Sequence, residues 1–178
     1  MNYFKSFLFA FAVTVCISAN AQSDADATAF DPRCHFLLET KLGAYHYSRG
    51  GFGMNFVVEK EVHEYFAWDI LSIDLAGPFN IDIVSVGVKT GIRGFSPVFG
   101  DNKTRAFTSL AMGYDCGIIT THILPITARA GHGFALSWGI GIQHQKHLFV
   151  GYDLEYSTAE IDKGRYGIAH YLKLGWRF

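Results

Sequence analysis

Charge is scarce in this chain. Only 17% of its 178 residues are Asp, Glu, Lys or Arg, against about 25% in soluble domains, so a water-facing surface would be thinly supplied. The formal net charge of −1 leaves no basic surplus, which argues against nucleic acid as a partner. Proline is rare, at 4 residues, and so is cysteine, at 3. Cys16 lies in the amino-terminal apolar run, which leaves Cys34 and Cys116. Past that run, no stretch is long and apolar enough for a transmembrane helix. That absence excludes a helical span but not a chain whose apolar residues alternate with small or polar ones.

Aromatics and glycine are plentiful: 16% Phe, Trp and Tyr, with 19 Gly. Together they favour strands and tight turns over helices. The segment Tyr166 to Phe178 alternates strictly, with Ile168, His170, Leu172, Leu174, Trp176 and Phe178 on one face. Gly167, Ala169, Tyr171, Lys173, Gly175 and Arg177 occupy the other. This is the period-two signature of a strand with unlike faces.

The amino terminus reads as an export signal. Lys5 gives a short basic region, Phe7 to Ile17 are apolar apart from Thr14, and Ala19-Asn20-Ala21 fits a cleavage site of small residues. We expect residues 1–21 to be a signal peptide, with cleavage read through Ala19 and Ala21, and residues 22–33 to form a short periplasmic tail. Val15 before Cys16 does not suit lipoprotein processing.

Residues 34–178 divide into eight candidate strands and no second domain. The first runs from about Cys34 to Tyr47, with Phe36, Leu38, Thr40, Leu42 and Ala44 on one face. The turn Ser48-Arg49-Gly50-Gly51 leads to the second, Phe52 to Glu61, and a tight turn at Val62 to Glu64 to the third, Tyr65 to Ala76. In the third, Trp68 and Ile70 oppose the parity of Leu71, Ile73 and Leu75, a conflict that a bulge would reconcile. After Gly77-Pro78-Phe79-Asn80 come a fourth strand at Ile81 to Gly94 and a fifth at Thr104 to Cys116. A long connection from Gly117 to Gly131 precedes the sixth, Gly133 to His144, which sets Phe134, Leu136, Trp138, Ile140 and Ile142 against Ala135, Ser137, Gly139, Gly141 and Gln143. The seventh begins at Leu148 and ends near Tyr156, and a loop from Ser157 to Gly164 returns the chain to the last. Hairpins repeated at this spacing mark an all-β meander.

The two faces point to a membrane rather than a soluble barrel. In a soluble barrel the apolar rows would turn inward and leave glycine rows such as Gly87-Gly91 against water with almost no charge. In an eight-stranded transmembrane β-barrel, antiparallel and up-and-down, small residues suit an interior wide enough only for side chains. Glu39, Lys41, Glu59, Lys89, Arg93, Arg105, Asp153, Glu155, Lys173 and Arg177 fall on those inner rows. We expect them to pair as a structural charge network closing the lumen, not to line a small-solute pore. Trp176 and Phe178 at one rim and Tyr156 and Tyr166 at the other fit aromatic girdles. With both termini at the periplasmic rim, the Phe95 to Lys103 turn is longer than expected there. Cys34 and Cys116 then lie most of a membrane thickness apart, so no disulfide is expected.

The hairpin Gly139 to Tyr156 and the terminal Leu172-Lys173-Leu174-Gly175-Trp176-Arg177-Phe178, together with Ala19-Asn20-Ala21, resemble the small bacterial outer-membrane β-barrels of the OmpX/PorT-like type. The resemblance spans the mature chain, but its motifs concern export and assembly. It implies an outer-membrane location, contact with outer-membrane lipid, and insertion by the barrel assembly machinery with periplasmic chaperones. It also implies that Leu172, Leu174, Trp176 and Phe178 act as an assembly signal.

No catalytic, cofactor-binding or metal site is expected. The 8 histidines lack the tight spacing of a metal centre: His46, His122 and His132 read as loop residues, His144 and His147 flank a turn, and His170 falls on the lipid row. Lipid A hydrolases and acyltransferases share the barrel, but the His-x-Ser-Asn motif of the deacylases is absent, and His132 with Ser137 has the wrong spacing. The expected role is structural or surface-interacting, with residues 117–131 as the candidate contact for a surface ligand.

Overall fold

The computed structural model describes residues 32–45, 49–78, 83–100, 103–119, 130–161, 164–165 and 167–178. The expected signal peptide, most of the expected tail, His46, His122 and Tyr166 lie outside the described residues.

Eight long strands close into one antiparallel barrel. They are β1 (Cys34–Tyr45), β2 (Arg49–His63), β3 (Phe66–Pro78), β4 (Ile83–Phe95), β5 (Thr104–Ile119), β6 (Ala130–His144), β7 (Leu148–Ser157) and β10 (Ile168–Arg177). Each pairs with its neighbour in sequence, and β10 returns to β1 along the register Leu37↔Arg177 to Tyr45↔Ala169. A separate short hairpin, β8 (Glu160–Ile161) with β9 (Gly164–Arg165), interrupts the β7-to-β10 connection.

One rim carries Cys34, Phe178 and the three connections between β2 and β3, β4 and β5, and β6 and β7; we call it the terminal rim. The opposite, loop rim carries the other four. The β4–β5 connection only looks long in sequence. Phe95 and Phe107 pair, Ser96 N–H donates to Ala106 O at 2.9 Å and Phe99 N–H to Thr104 O at 2.8 Å, so the ladder continues to a tight end. Lys103 takes a φ of 53° and Gly100 a φ of 70° there, the left-handed values that such an end demands.

Three expected boundaries shift for one reason: backbone pairing runs on where glycine allows close approach. Arg49, Gly50 and Gly51 belong to β2 and not to a turn, with Gly51 opposite Gly43. A methyl group on Gly43 would lie 1.7 Å from the His170 carbonyl oxygen, so only glycine fits. Similarly, Gly117 to Ile119 and Ala130 to Gly131 extend β5 and β6, and the expected long connection contracts to residues 120–129. His132 is consequently a strand residue, not a loop one.

The walls have opposite chemistry. Outward positions are apolar along the barrel: Leu172 is 67% exposed and Phe36 63%, with Leu42, Val88, Ile92, Ile140 and Leu174 around half exposed. Inward positions are buried and include most of the charge. Among described strand residues on the outer wall, only Lys60 carries a formal charge.

The β3 conflict is resolved by a bulge. Register slips between Asp69 and Ser72 against β4, and opposite Val58 and Glu59 of β2. Ile70 and Leu71 both face outward as a result. Trp68 before the bulge and Ile73 and Leu75 after it then share the outer wall, while Asp69, Ser72 and Asp74 turn inward.

Candidate functional site

The inward rows bring buried charged side chains together in the lumen. Within its network stand seven carboxylates (Glu39, Glu59, Glu61, Asp69, Asp74, Asp153, Glu155) and six cations (Lys41, Lys89, Arg93, Arg105, Lys173, Arg177). Such near balance matters because an unpaired charge at this burial is costly, whereas interlocked pairs offset one another's desolvation.

Near the terminal rim, Glu61 holds two cations. Its Oε1 accepts from Arg177 Nη1 at 2.7 Å and from Arg105 Nη2 at 3.2 Å. Arg105 Nε donates to Gln143 Oε1 at 2.6 Å, and its guanidinium lies 3.6 Å from the Phe95 ring centre. Planar stacking with a fork of donors is a role lysine could not fill.

Arg93 occupies the middle. It pairs with Glu39 at 3.2 Å, Glu59 at 3.4 Å and Asp69 at 3.5 Å, three carboxylates from β1, β2 and β3. Its guanidinium lies 4.8 Å from the Phe149 ring centre and 5.2 Å from that of Phe107, and those rings meet edge-on at 5.6 Å. Arg93 is 1% exposed and Phe149 0%, so both are enclosed at this level. Alongside, Asn55 Nδ2 donates to Glu39 Oε2 at 3.0 Å, and Ser72 Oγ donates to Asn55 Oδ1 at 2.6 Å. These fix one orientation of the amide.

Towards the loop rim, Asp74 Oδ2 accepts from Lys41 at 2.8 Å and from Lys89 at 3.0 Å. Lys41 also hydrogen-bonds Glu155 and sits 5.5 Å from the Tyr171 ring centre. Lys173 joins this group to the middle one, at 2.9 Å from Asp153 and 3.7 Å from Glu39.

All ten charged residues named from the sequence therefore lie in this lumen, but sequence reasoning missed three carboxylates. Glu61 shares the parity of Glu59 and was readable from alternation carried one step further along β2. Asp69 and Asp74 were hidden by the bulge, which breaks the alternation that would have assigned their face.

The outer wall treats its own polar groups differently. Thr40 Oγ1 donates to Leu174 O at 3.1 Å and Thr108 Oγ1 to Gly139 O at 3.1 Å. At the β3 bulge, Thr90 Oγ1 donates to Asp69 O at 2.9 Å and accepts from Trp68 Nε1 at 3.1 Å. Two tyrosines, Tyr114 and Tyr152, hydrogen-bond His132 and His170 through their hydroxyls. Hydroxyls turned onto the protein's own backbone and rings match a surroundings that offers no partners.

Leu172, Leu174 and Trp176 share the outer wall of β10 from mid-strand to the terminal rim, where Phe178 follows it. His147 stacks on Trp176 at 5.5 Å, and Phe178 N–H donates to Phe36 O at 2.8 Å. Cys34 lies exposed at this rim, and Cys116 lies in β5 towards the other. Among the described residues, no three His, Cys, Asp or Glu side chains are grouped to hold a metal ion.

Neisserial surface protein A is similar to this chain over 81% of its length and 95% of that protein's, at 9% identity and a TM-score of 0.64. The likeness is one of fold. The amino-terminal β-barrel domain of Pseudomonas aeruginosa OprF, at 14% identity, aligns with 82% of this chain and 100% of that domain with a TM-score of 0.46. Ail, the attachment invasion locus protein of Yersinia pestis, aligns at 13% identity over 82% of this chain and 97% of its own, with a TM-score of 0.45. No protein-family model and no curated protein matches the chain.

Proposed function

We propose that this chain is an integral outer-membrane β-barrel with a structural or surface-interaction role, a closed lumen and no catalysis of its own. The observation that carries this reading is the barrel's inverted polarity. Its outer wall is apolar, with threonine and tyrosine hydroxyls bonded internally, and its charges are collected inside as pairs. A soluble barrel would have these walls exchanged. Similarity of fold to a protein named for the surface of Neisseria supports the surface part.

In this reading, residues 1–21 direct export and are removed after Ala21, and the terminal rim faces the periplasm. Leu172, Leu174, Trp176 and Phe178 signal the barrel assembly machinery, with periplasmic chaperones holding the chain beforehand. The ten lumen charges, joined by Glu61, Asp69 and Asp74, act as a structural plug, and the β5–β6 connection offers the contact for a surface ligand.

Membrane fractionation combined with heat-modifiable electrophoretic mobility tests the location. The protein should partition with the outer membrane and migrate faster unheated than boiled; a freely dissolved periplasmic form would overturn the proposal. Deleting residues 120–129 should abolish surface adhesion and leave the barrel folded, and adhesion that persists would remove the ligand role. Lipid A should carry the same acyl chains with and without the protein, whereas an altered pattern would reveal an enzyme.

A further inference from the structure

Two polar pairs on the outer wall repeat one geometry. Tyr114 of β5 stands opposite Phe134 of β6, and its hydroxyl bonds Nδ1 of His132, the next outward residue towards the loop rim. Tyr152 of β7 stands opposite Leu172 of β10, and its hydroxyl bonds Nδ1 of His170, again the next outward residue. Ring centres within the pairs are 5.6 Å and 6.0 Å apart. Each histidine is the third residue of its strand counted from the loop rim. Both therefore stand about 7 Å along the strand from its end, at the usual rise per residue.

A phenol hydroxyl donates to an imidazole nitrogen, so Nδ1 accepts and the ring proton stands on Nε2. That second nitrogen has no bond among the described residues. Thr40, Thr90 and Thr108 turn their hydroxyls back onto backbone carbonyls, whereas His132 and His170 are exposed and keep one donor for the surroundings. A donor left open against acyl chains would be costly, while one held near the edge of the apolar layer meets headgroups. Below each ring, away from the rim, lies an apolar shelf. Phe134 at 47% exposure and Met112 at 50% lie below His132, and Leu172 at 67% and Leu42 at 58% lie below His170.

We propose that His132 and His170 form two lipid-headgroup sites, each donating Nε2–H to a phosphate oxygen of an outer-leaflet lipid whose acyl chains lie on the shelf below. The inference rests on the outer-membrane reading and names the lipid chemistry that the loop rim selects. Phosphate is the acceptor that fits, because an ionised partner makes a hydrogen bond roughly twice as strong as a neutral one. A lipid fits where a free anion does not, since donor and shelf follow the order of headgroup and chains. Tyr114 and Tyr152 are positioning residues, which fix the tautomer and hold each ring against the wall.

The test uses the full mature chain, labelled with nitrogen-15 at histidine and refolded in vesicles of phosphatidylglycerol and phosphatidylcholine. Solid-state nuclear magnetic resonance reads which imidazole nitrogens lose signal to nearby phosphorus-31, and His132→Phe and His170→Phe identify the two rings. Nε2 of both should lose signal. Tyr114→Phe, which removes one hydrogen bond, should cut the loss at His132 about twofold or more and leave His170 unchanged. Tyr152→Phe should do the reverse, and it decides the same point should Tyr114→Phe fail to fold. Unchanged loss at both rings would overturn the positioning role. An inserted barrel, migrating faster unheated than boiled, whose two rings lose no signal would overturn the sites and spare the outer-membrane reading. Loss at one ring alone, or equal loss at all the histidines, would overturn them too. A chain that does not insert would overturn that reading and the sites with it. In maltoside micelles, which carry no phosphorus, added inorganic phosphate should cause no loss; a loss there would overturn the lipid in favour of a free anion.

Discussion

The inner and outer walls of this barrel are written by the same strands, one residue apart, yet they solve opposite problems. On β10, Lys173 and Arg177 face in and find carboxylates from β1, β2 and β7, while Leu172 and Leu174 face out and stay half or more exposed. Inside, stability depends on specific partners contributed from across the ring. Outside, it depends on surroundings that ask only that no polar group be left open. Substitutions on the two walls should therefore fail in different ways.

The largest effect is expected at Arg93. Arg93→Met removes the cation shared by Glu39, Glu59 and Asp69, and breaking a buried pair by deleting one partner costs about 3–5 kcal/mol. Urea unfolding of the lipid-refolded protein should show the loss; a shift under about 1 kcal/mol would mean that the lumen charges are solvated. Next comes the outer wall, where Leu172→Arg should cost about 2–4 kcal/mol in lipid if the site is near the midplane. In that experiment Lys173→Leu serves as the inner control, since it adds apolar surface yet removes the cation 2.9 Å from Asp153. If Leu172→Arg were neutral and Leu172→Ala destabilising, the outer wall would face something other than acyl chains.

A smaller cost is expected at the bulge. Thr90→Val strips the Asp69 carbonyl and the Trp68 indole N–H of their partner, and an unmet buried group costs about 1–3 kcal/mol. Hydrogen exchange should quicken locally along β3 and β4, and unchanged protection would show that the bulge carbonyl is otherwise satisfied. Smallest of all should be Lys60→Gln, within about 0.5 kcal/mol, because this side chain sits near the terminal rim where its ammonium reaches water. A larger loss there would place Lys60 deeper in the apolar layer than its position on β2 implies.

How much of this was legible in the sequence depended on whether alternation survived locally. β6 and β10 could be read residue by residue because their bulky apolar side chains, Tyr171 apart, keep one parity. β3 could not, because two consecutive outward residues, Ile70 and Leu71, exchange the faces halfway. That single insertion concealed Asp69, a partner of Arg93, and Asp74, the hub of Lys41 and Lys89. The glycine-rich segments misled in another way. Gly50-Gly51 and Gly117 resemble turns by composition, yet here glycine permits close approach inside a narrow ring, and no local pattern separates those two uses.

The seam between β1 and β10 has a kinetic consequence. Every other pairing joins strands adjacent in the meander and can form as a hairpin, but Leu37 must find Arg177 across the whole intervening chain. Ring closure is thus the least local contact in the molecule and the slowest by topology. Until it happens, β1 and β10 both present unpaired edges that would recruit other chains, so a nascent barrel stalled before closure should oligomerise rather than wait.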